Sequence, residues 1–385
     1  MEIPARPHLR ALLPEELAAH LRAHGVAIRD DEARRVLSAS FRRPGGHERT
    51  RNPVGRRVLA AVADLTDGRG LEVVERVADD SDGFVKYLFR SPDGALHEAV
   101  RIPLHQENSY SVCLSSQVGC AMGCVFCATG RLGFGRNLAA WEMVAAFLAV
   151  RDEAPGWVKG AVFQGQGEPL HNYDEVIRAA RVLSNPSCGR VNGGGITIST
   201  VGLVPQIHRY AQERHPFRLI ISLTSAVAAR RSSLLPVAGR FTLEEVAGAI
   251  RAYAASARGR VTIAWVLLAG INDGEDEAAA LAELLAGLPL RINLIDVNDA
   301  RSAEEGGFRR TTDDERRAFM ARLQRLKAPI VRRYSGGAGR HAACGMLAAR
   351  TCASAAPYSA VSTTSMSPSS SSPAAPMPPP SDSTV

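Results

Sequence analysis

Four of the chain's seven cysteines fall in one short stretch, "CLSSQVGCAMGCVFC", which begins at Cys113. The last three, Cys120, Cys124 and Cys127, are spaced C-x3-C-x2-C in a glycine-containing loop that lets three thiolates converge on one metal centre. Three ligands are an incomplete set for structural zinc, which takes four, commonly from paired C-x2-C knuckles. No second knuckle lies nearby. Plain electron carriers also hold each cubane with four cysteines, whereas a cubane held by three leaves one iron open to bind and cleave a substrate. From the residues alone, zinc and inert buried cysteines stay open as alternatives. A second stretch, "QGQGEP" (164–169), has two glycines that let backbone approach a ligand, and Glu168 supplies an anion able to pair with an ammonium group.

These residues need a scaffold, and the texture from about residue 110 supplies one. Strand-like runs at 110–116, 158–164, 195–200, 218–224, 260–268 and 291–297 alternate with helical stretches such as "LAAWEMVAAFLAVRDE" and "TLEEVAGAIRAYAA". Alternation of this kind implies parallel strands with crossover helices. Six units are too few for an eight-stranded barrel, so the fold class is α/β, a partial (β/α)6 barrel. The polar clusters "QGQGEP", "STVG", "SLTS" and "DVND" all fall at carboxyl ends of strands, where such folds bind ligands.

Upstream, residues 1–70 read as short amphipathic helices forming a helical accessory domain. Their connector is rich in Gly, Pro and Arg, and residues 1–57 hold twelve arginines against seven acids. Residues 71–109 alternate as a short β segment leading into the barrel, which spans 110–350. The Ser/Pro/Ala-rich stretch 351–385 has almost nothing to bury and reads as a disordered tail.

At 45% hydrophobic residues the chain can bury a substantial core without staples. An odd cysteine count and an amino terminus without a continuous apolar stretch argue against an oxidising compartment and place the protein in the cytoplasm. No run of about 18 apolar residues suggests a membrane span. A net charge of +7 suits a polyanionic partner such as nucleic acid but says nothing about fold. Nearly all of that positive charge is arginine, since only Lys86, Lys159 and Lys327 are lysines.

The C-x3-C-x2-C spacing with Phe126 before the final cysteine resembles the signature of the radical S-adenosylmethionine (SAM) superfamily, whose open iron is chelated by SAM. The match narrows further. "CLSSQVGCAMGCVFCATGRLGFGRNL", "GQGEPLHNYDEV", "STVGLVPQI", "SLTSA", "NLIDVN" and "AACGML" occur in the order and approximate spacing of the RlmN/Cfr family of radical-SAM RNA methyltransferases. The resemblance covers about residues 10 to 350. It implies a [4Fe-4S] cluster on Cys120, Cys124 and Cys127, two SAM molecules per turnover, and an RNA-binding role for the amino-terminal helices. It further implies methylation of an adenine ring at carbon 2 or carbon 8, in large-subunit ribosomal RNA or transfer RNA.

These ring carbons are electron-poor and will not attack SAM's methyl group, so a radical route is required. By resemblance, Cys344 is methylated first, its methyl carbon is activated and adds to adenine, Glu98 accepts the ring proton, and Cys113 resolves the adduct through a transient disulfide. Gly167, Glu168, Ser199, Ser222, Leu223, Thr224 and Asn298 match the family's SAM contacts. A flavodoxin or ferredoxin is the implied electron donor, and the chain is expected to be a monomer. Cys188 and Cys352 match nothing in the family.

The chain also departs from the family pattern. "MGMGEP" is "QGQGEP", the histidine of "SLHA" is Thr224, "NLIPFNP" is "NLIDVND", and the usual acidic "DIDAACG" reads "GRHAACG". The alternative reading is a radical-SAM enzyme acting on a peptide or metabolite, and a further one is a non-catalytic RNA-binding relic whose cysteines hold zinc. The basic amino-terminal module and the pair Cys113 and Cys344 favour RNA methylation.

Overall fold

Ten strands hydrogen-bond into one sheet, and the order in which they join it brings the functional loops together. The computed structural model of the chain describes residues 6–44, 53–79, 81–257, 259–299, 301, 304–334, 336, 343 and 345–348. Positions 45–52 of the Arg-rich connector, Cys344, Cys352 and the Ser/Pro-rich tail lie outside the described residues.

The chain begins with three helices, α1 (Pro14–Ala23), α2 (Asp30–Ser40) and α3 (Arg56–Leu65), then an antiparallel meander of β1 (Glu72–Ala78), β2 (Val85–Arg90) and β3 (Leu96–Pro103). The next strand, β4 (Ser109–Leu114), pairs antiparallel with β3 on one side and begins the parallel ladder on the other. A hairpin of β5 (Gln117–Gly119) and β6 (Phe134–Asn137) encloses the short helix α4 (Ala128–Arg131). Helix and strand then alternate through α5 (Ala140–Glu153), β7 (Trp157–Phe163), α6 (Tyr173–Ser184), β8 (Ile196–Thr200), α7 (Val204–Glu213) and β9 (Arg218–Ser222). Two helices, α8 (Ala228–Leu234) and α9 (Leu243–Ser256), precede β10 (Val261–Leu267). The chain continues with α10 (Glu275–Leu284), β11 (Leu290–Asp296), α11 (Asp313–Leu323) and β12 (Ile330–Arg333).

From β4 the ladder runs β7, β8, β9, β10, β11, β12, all parallel. Each strand read from sequence is present, and two features differ. The antiparallel strands are continuous with the barrel strands in one sheet. A seventh parallel strand, β12, adds at the far edge; its sequence "IVRR" shows no apolar alternation, and three of its four residues are exposed. An edge strand needs no second apolar face, which removes the signal that sequence periodicity relies on.

Helix starts follow local chemistry. Thr242 with Glu245 and Thr312 with Glu315 form capping boxes at α9 and α11, each hydroxyl and carboxylate satisfying an otherwise orphan backbone N–H. Helix α5, "AWEMVAAFLAVRDE", is apolar on nearly every side, and it is buried on nearly every side. One face packs on β3, β4 and β7, and the other is covered by the amino-terminal segment. There the His8 ring stacks on Trp141 at 4.3 Å, Arg151 donates to the Phe41 carbonyl, and Arg178 donates to Glu16 and the Ala11 carbonyl. Among the described residues no helix is long and apolar enough to cross a membrane.

The inner side of α5 also shelters an unusual histidine. His97 on β3 is 1% exposed and stacks on Phe89, and neither ring nitrogen has a hydrogen-bond partner among the described residues. Burial pulls its pKa down to about 4, so the folded protein holds this ring neutral. The unfolded chain takes up the proton near the ordinary value of 6.5. Stability from this site is therefore complete above pH 6.5 and is lost as pH falls toward 4, a decline on the order of 3 kcal/mol. Denaturant unfolding across this window should show that decline, and His97→Leu should flatten it. An equally steep curve in the variant would assign the acid sensitivity elsewhere.

Candidate active site

The hairpin β5–β6 turns the cysteine stretch into a closed loop. At its neck the Cys120 N–H donates to the Gly133 carbonyl at 2.7 Å. Gly119 has φ +72, and a Cβ there would lie 2.0 Å from the Gly133 oxygen, so only glycine allows the strands to close. Beyond the neck, Cys120, Cys124 and Cys127 line one pocket. Burial pushes the Cys120 thiol up to about 12, and Cys124 is raised well above the ordinary range for the same reason. Thiols in this state bind metal only by giving up protons, which a cluster's positive charge drives.

The opposite wall comes from the loop after β7. Gly167 has φ +100, and a Cβ there would meet Gln117 at 2.6 Å. Glu168 is 2% exposed, and its carboxylate accepts from the N–H groups of Leu170 and Val201, both at 2.9 Å. Burial pushes its pKa up to about 7, against the pull of hydrogen bonds from Val201, Leu170 and Thr200. Among the described residues no cation pairs with this carboxylate, which an ammonium ligand would suit.

Strand ends complete the pocket, which holds about 910 Å³ of space with its open mouth included. Ser199, Ser222, Thr224 and Asn298 line it, with the two serine hydroxyls 3.3 Å apart. Thr224 sits at φ +62, an unfavourable conformation for a β-branched residue. Its hydroxyl oxygen is buried without a hydrogen-bond partner among the described residues, and the side chain lines the pocket. Asn272 holds this strained turn, donating to the Thr224 carbonyl at 2.7 Å while its own oxygen accepts from the Leu268 N–H. Leu223, read from sequence as a ligand contact, is not among the residues lining the pocket; it is fully buried, its N–H donates to the Ala264 carbonyl, and its carbonyl accepts from Arg231 and the Ser225 N–H.

Arg231 is a residue that sequence reading passed over. It is 1% exposed and clasps the ends of two strands, donating to the Leu223 carbonyl and to the Val201 carbonyl at 2.8 Å. Burial lowers it to about 10, which leaves it charged at neutral pH, close enough to Cys124 for the two to interact electrostatically. Gln117 is a second residue whose role the sequence does not display. Its side-chain oxygen accepts from the Glu168 N–H while its nitrogen reaches Asn137 and His171, which locks the cysteine hairpin to the glutamate loop.

Cys113 and Glu98 do not line this pocket. Cys113 opens into an adjoining cavity of about 650 Å³, which shares Gln164, Ile295 and Leu347 with the first. Glu98 lies on the same face of β3 as Val100 and Ile102, which line that second cavity, and it is 1% exposed. Cys344 is outside the described residues, but its neighbours are informative. Ala343 lines the second cavity and Gly345 the first. The Gly345 carbonyl accepts from the Ala128 N–H and the Leu347 carbonyl from the Thr129 hydroxyl, both at 2.7 Å. The carboxyl-side segment is thus fastened to the residues directly after Cys127.

Three thiols in a closed loop, a buried glutamate in the loop after the next barrel strand and an orphan hydroxyl lining the same pocket define a radical SAM enzyme. Residues 114–282 match the Radical SAM superfamily. The chain is 48% identical over 345 residues to a probable RNA methyltransferase of Anaeromyxobacter sp. (strain Fw109-5), covering 88% of this chain and 99% of that one. It is 38% identical over 273 residues to the dual-specificity RNA methyltransferase RlmN of Syntrophotalea carbinolica, covering 71% and 72%. A crystal structure of a radical SAM methyltransferase from Sphaerobacter thermophilus superposes with a TM-score of 0.79 at 35% identity, covering 89% of this chain and all of that one. The chain belongs to the RlmN/Cfr family of radical SAM RNA methyltransferases.

The residues present fit the family's cofactors. Among the described residues no three His, Cys, Asp or Glu side chains form a group able to hold a metal ion. A cubane makes a different demand, because each thiolate binds a separate iron. The buried carboxylate and the orphan Thr224 hydroxyl suit the amino group and hydrogen-bonding edge of SAM.

Two outcomes follow. SAM affinity, measured calorimetrically on anaerobic protein, should weaken as pH falls below about 7, because Glu168 must be ionised to receive an ammonium group. The fall approaches about tenfold per pH unit, and it should vanish in Glu168→Gln. Separately, Thr224→Val should lower SAM affinity about fivefold while leaving thermal stability equal or higher, since it removes a buried hydroxyl that lacks a partner. Unchanged affinity would remove Thr224 from the binding set.

Proposed function

We propose that the chain methylates carbon 2 or carbon 8 of an adenine in RNA, with large-subunit ribosomal RNA as the main substrate and transfer RNA as a second one. Cys120, Cys124 and Cys127 hold a [4Fe-4S] cluster and Glu168, Ser199, Ser222, Thr224 and Asn298 hold SAM, a pairing that supplies one-electron cleavage of SAM and hence hydrogen abstraction inside the pocket. Two SAM molecules serve each turnover, one as methyl donor to Cys344 and one in that cleavage. The helices within residues 1–70 serve as the RNA-binding accessory module, residues 71–109 as the β segment and residues 110–350 as the barrel. The protein works as a monomer in the cytoplasm with a flavodoxin or ferredoxin as electron source.

The chain's own residues carry the remainder. Cys344 bears the methyl group as a thioether, and once that methyl has lost a hydrogen its carbon bonds to the adenine ring. Glu98 takes the ring proton while the C–H electron pair stays with the ring, and the one unpaired electron left by the addition would pass back to the cluster held by Cys120, Cys124 and Cys127. The Cys113 thiolate then attacks the Cys344 sulfur, and as the disulfide forms the sulfur–carbon electron pair leaves with the carbon, which takes up a proton to become the product methyl group. One observation carries this reading: the segment around position 344 is hydrogen-bonded to the cluster loop through Ala128 and Thr129, and its flanking residues line the SAM pocket and the Cys113 cavity.

Mass spectrometry of peptides after anaerobic expression should show the Cys344 peptide heavier by one CH2 group. Cys113→Ala should retain RNA through denaturing gel separation, because the adduct has no resolving thiol. An unmodified Cys344 in cluster-replete protein, with no retained RNA, would favour the peptide or metabolite reading.

A further inference from the structure

The face of the sheet that carries Cys113 also carries a buried ion pair. Lys86 on β2, Val100 on β3, Cys113 on β4 and Val162 on β7 are register partners and form one row across four strands. Glu98 is two residues from Val100 on the same face of β3, diagonal to Lys86. Lys86 Nζ lies 3.1 Å from Glu98 Oε1, with the lysine side chain 12% exposed and the glutamate side chain 0%.

Three observations set this pair apart from an ordinary salt bridge. The chain uses arginine almost everywhere, yet one of its three lysines occupies this buried place. A lysine brings a compact point charge to one carboxylate oxygen, where a guanidinium would engage both. Burying an ion pair seldom adds stability over an apolar pair, so stability alone does not explain it. The backbone at Glu98 is fastened as well: its N–H donates to the Gln166 side chain at 3.2 Å, and its carbonyl accepts from the Ser115 hydroxyl at 2.6 Å. The carboxylate is therefore held on a fixed strand, against a fixed cation, beside the Cys113 cavity.

We propose that Lys86 is a positioning residue for proton removal, keeping Glu98 an ionised acceptor in a site that excludes water. This rests on the reading of Glu98 as the base that takes the ring proton. When the proton arrives, the carboxylate becomes a neutral acid, the C–H pair remains on the ring, and the ammonium keeps its charge throughout. Other groups facing the site are Cys113 from β4, Gln164 and Gln166 from the loop after β7, Arg333 from β12, and Tyr334, whose hydroxyl donates to Asp82 at 3.3 Å. Arg333 is the competing cation, since it lines the same cavity.

The test uses full-length enzyme. Carbon-13 NMR of glutamate-labelled protein, with Glu98 assigned from Glu98→Gln, follows carboxyl titration in the wild type, Lys86→Met, Lys86→Arg and Arg333→Gln. The midpoint for Glu98 should rise by about one pH unit or more in Lys86→Met and stay near the wild-type value in the other two. Single-turnover reactions with RNA should show adduct release slowed about tenfold at pH 7 in Lys86→Met, recovering as pH rises and largely restored in Lys86→Arg. Lys86→Gln serves if the methionine variant does not fold. A wild-type pH profile in the lysine variants, with Glu98→Gln impaired, overturns the proposal alone. Normal adduct release in Glu98→Gln overturns the reading of Glu98 beneath it.

Discussion

Three thiols can serve one metal cluster only when the loop that carries them is closed, and a closed loop is useful only when it faces the ligand's other contacts. Gln117 meets both demands with one amide. Its backbone belongs to β5 and pairs with Asn137 of β6, and its side chain accepts from the Glu168 N–H. The same side chain donates to Asn137 and reaches His171, so a fully buried amide ties the cysteine loop to the glutamate loop. Buried polar groups are tolerated when their partners are present, and they then fix geometry more tightly than apolar packing does. The pocket's two walls keep their separation because of this node and the glycines that let backbone approach backbone beside it.

The departures from the family pattern form a consistent set once they are located. Gln166 stands where the family has methionine, and its side chain reaches the backbone of Glu98. Asp296 stands where the family has proline, at the end of β11, and its carboxylate faces Arg332 at 2.8 Å, Arg316 at 3.3 Å and Arg310 at 3.5 Å. Asp299 also replaces a proline, and it pairs with Arg301 at 2.6 Å and Arg131 of α4 at 3.6 Å. Each replacement residue makes a charged or amide contact near the carboxyl ends of the barrel strands. The Asp296 group carries more positive than negative charge, with the Arg310 and Arg332 side chains about half exposed, a surface suited to a polyanion arriving at the mouth.

Sequence made the three converging thiols legible because shared metal chemistry would depend on spacing within one loop, and six parallel strands legible because buried strands read as apolar runs. It could not show β12, whose exposed edge has no such pattern. Nor could it show the roles of Arg231 and Asn272, since a buried clasp between strand ends is visible only once the ends meet. Lys86 lies between: a lone lysine inside "GFVKYLF" breaks an apolar run, a signal present in the sequence whose partner, Glu98, emerges only from the register of β2 on β3. Leu223 shows a limit of reading by motif. It belongs to a motif whose neighbours line the pocket, yet its own side chain turns into the core.

Unfavourable features gather around the two cavities: a threonine with positive φ, a glutamate raised to about 7, an arginine with no carboxylate in hydrogen-bond contact among the described residues, and an ion pair shut away from water. Away from the site the capping boxes of α9 and α11 and the buried face of α5 agree with the local sequence, with His97 a buried exception, so most of the scaffold is locally consistent while the site carries strain. The carboxyl-side segment follows a different rule. On the proposed reading, a sulfur at position 344 must meet a methyl donor, an adenine ring and the Cys113 thiol in turn, and rigid burial in one cavity would prevent the second or third encounter. The carbonyls of Gly345 and Leu347 fasten the residues that follow position 344 to Ala128 and Thr129, at the boundary of two adjoining cavities.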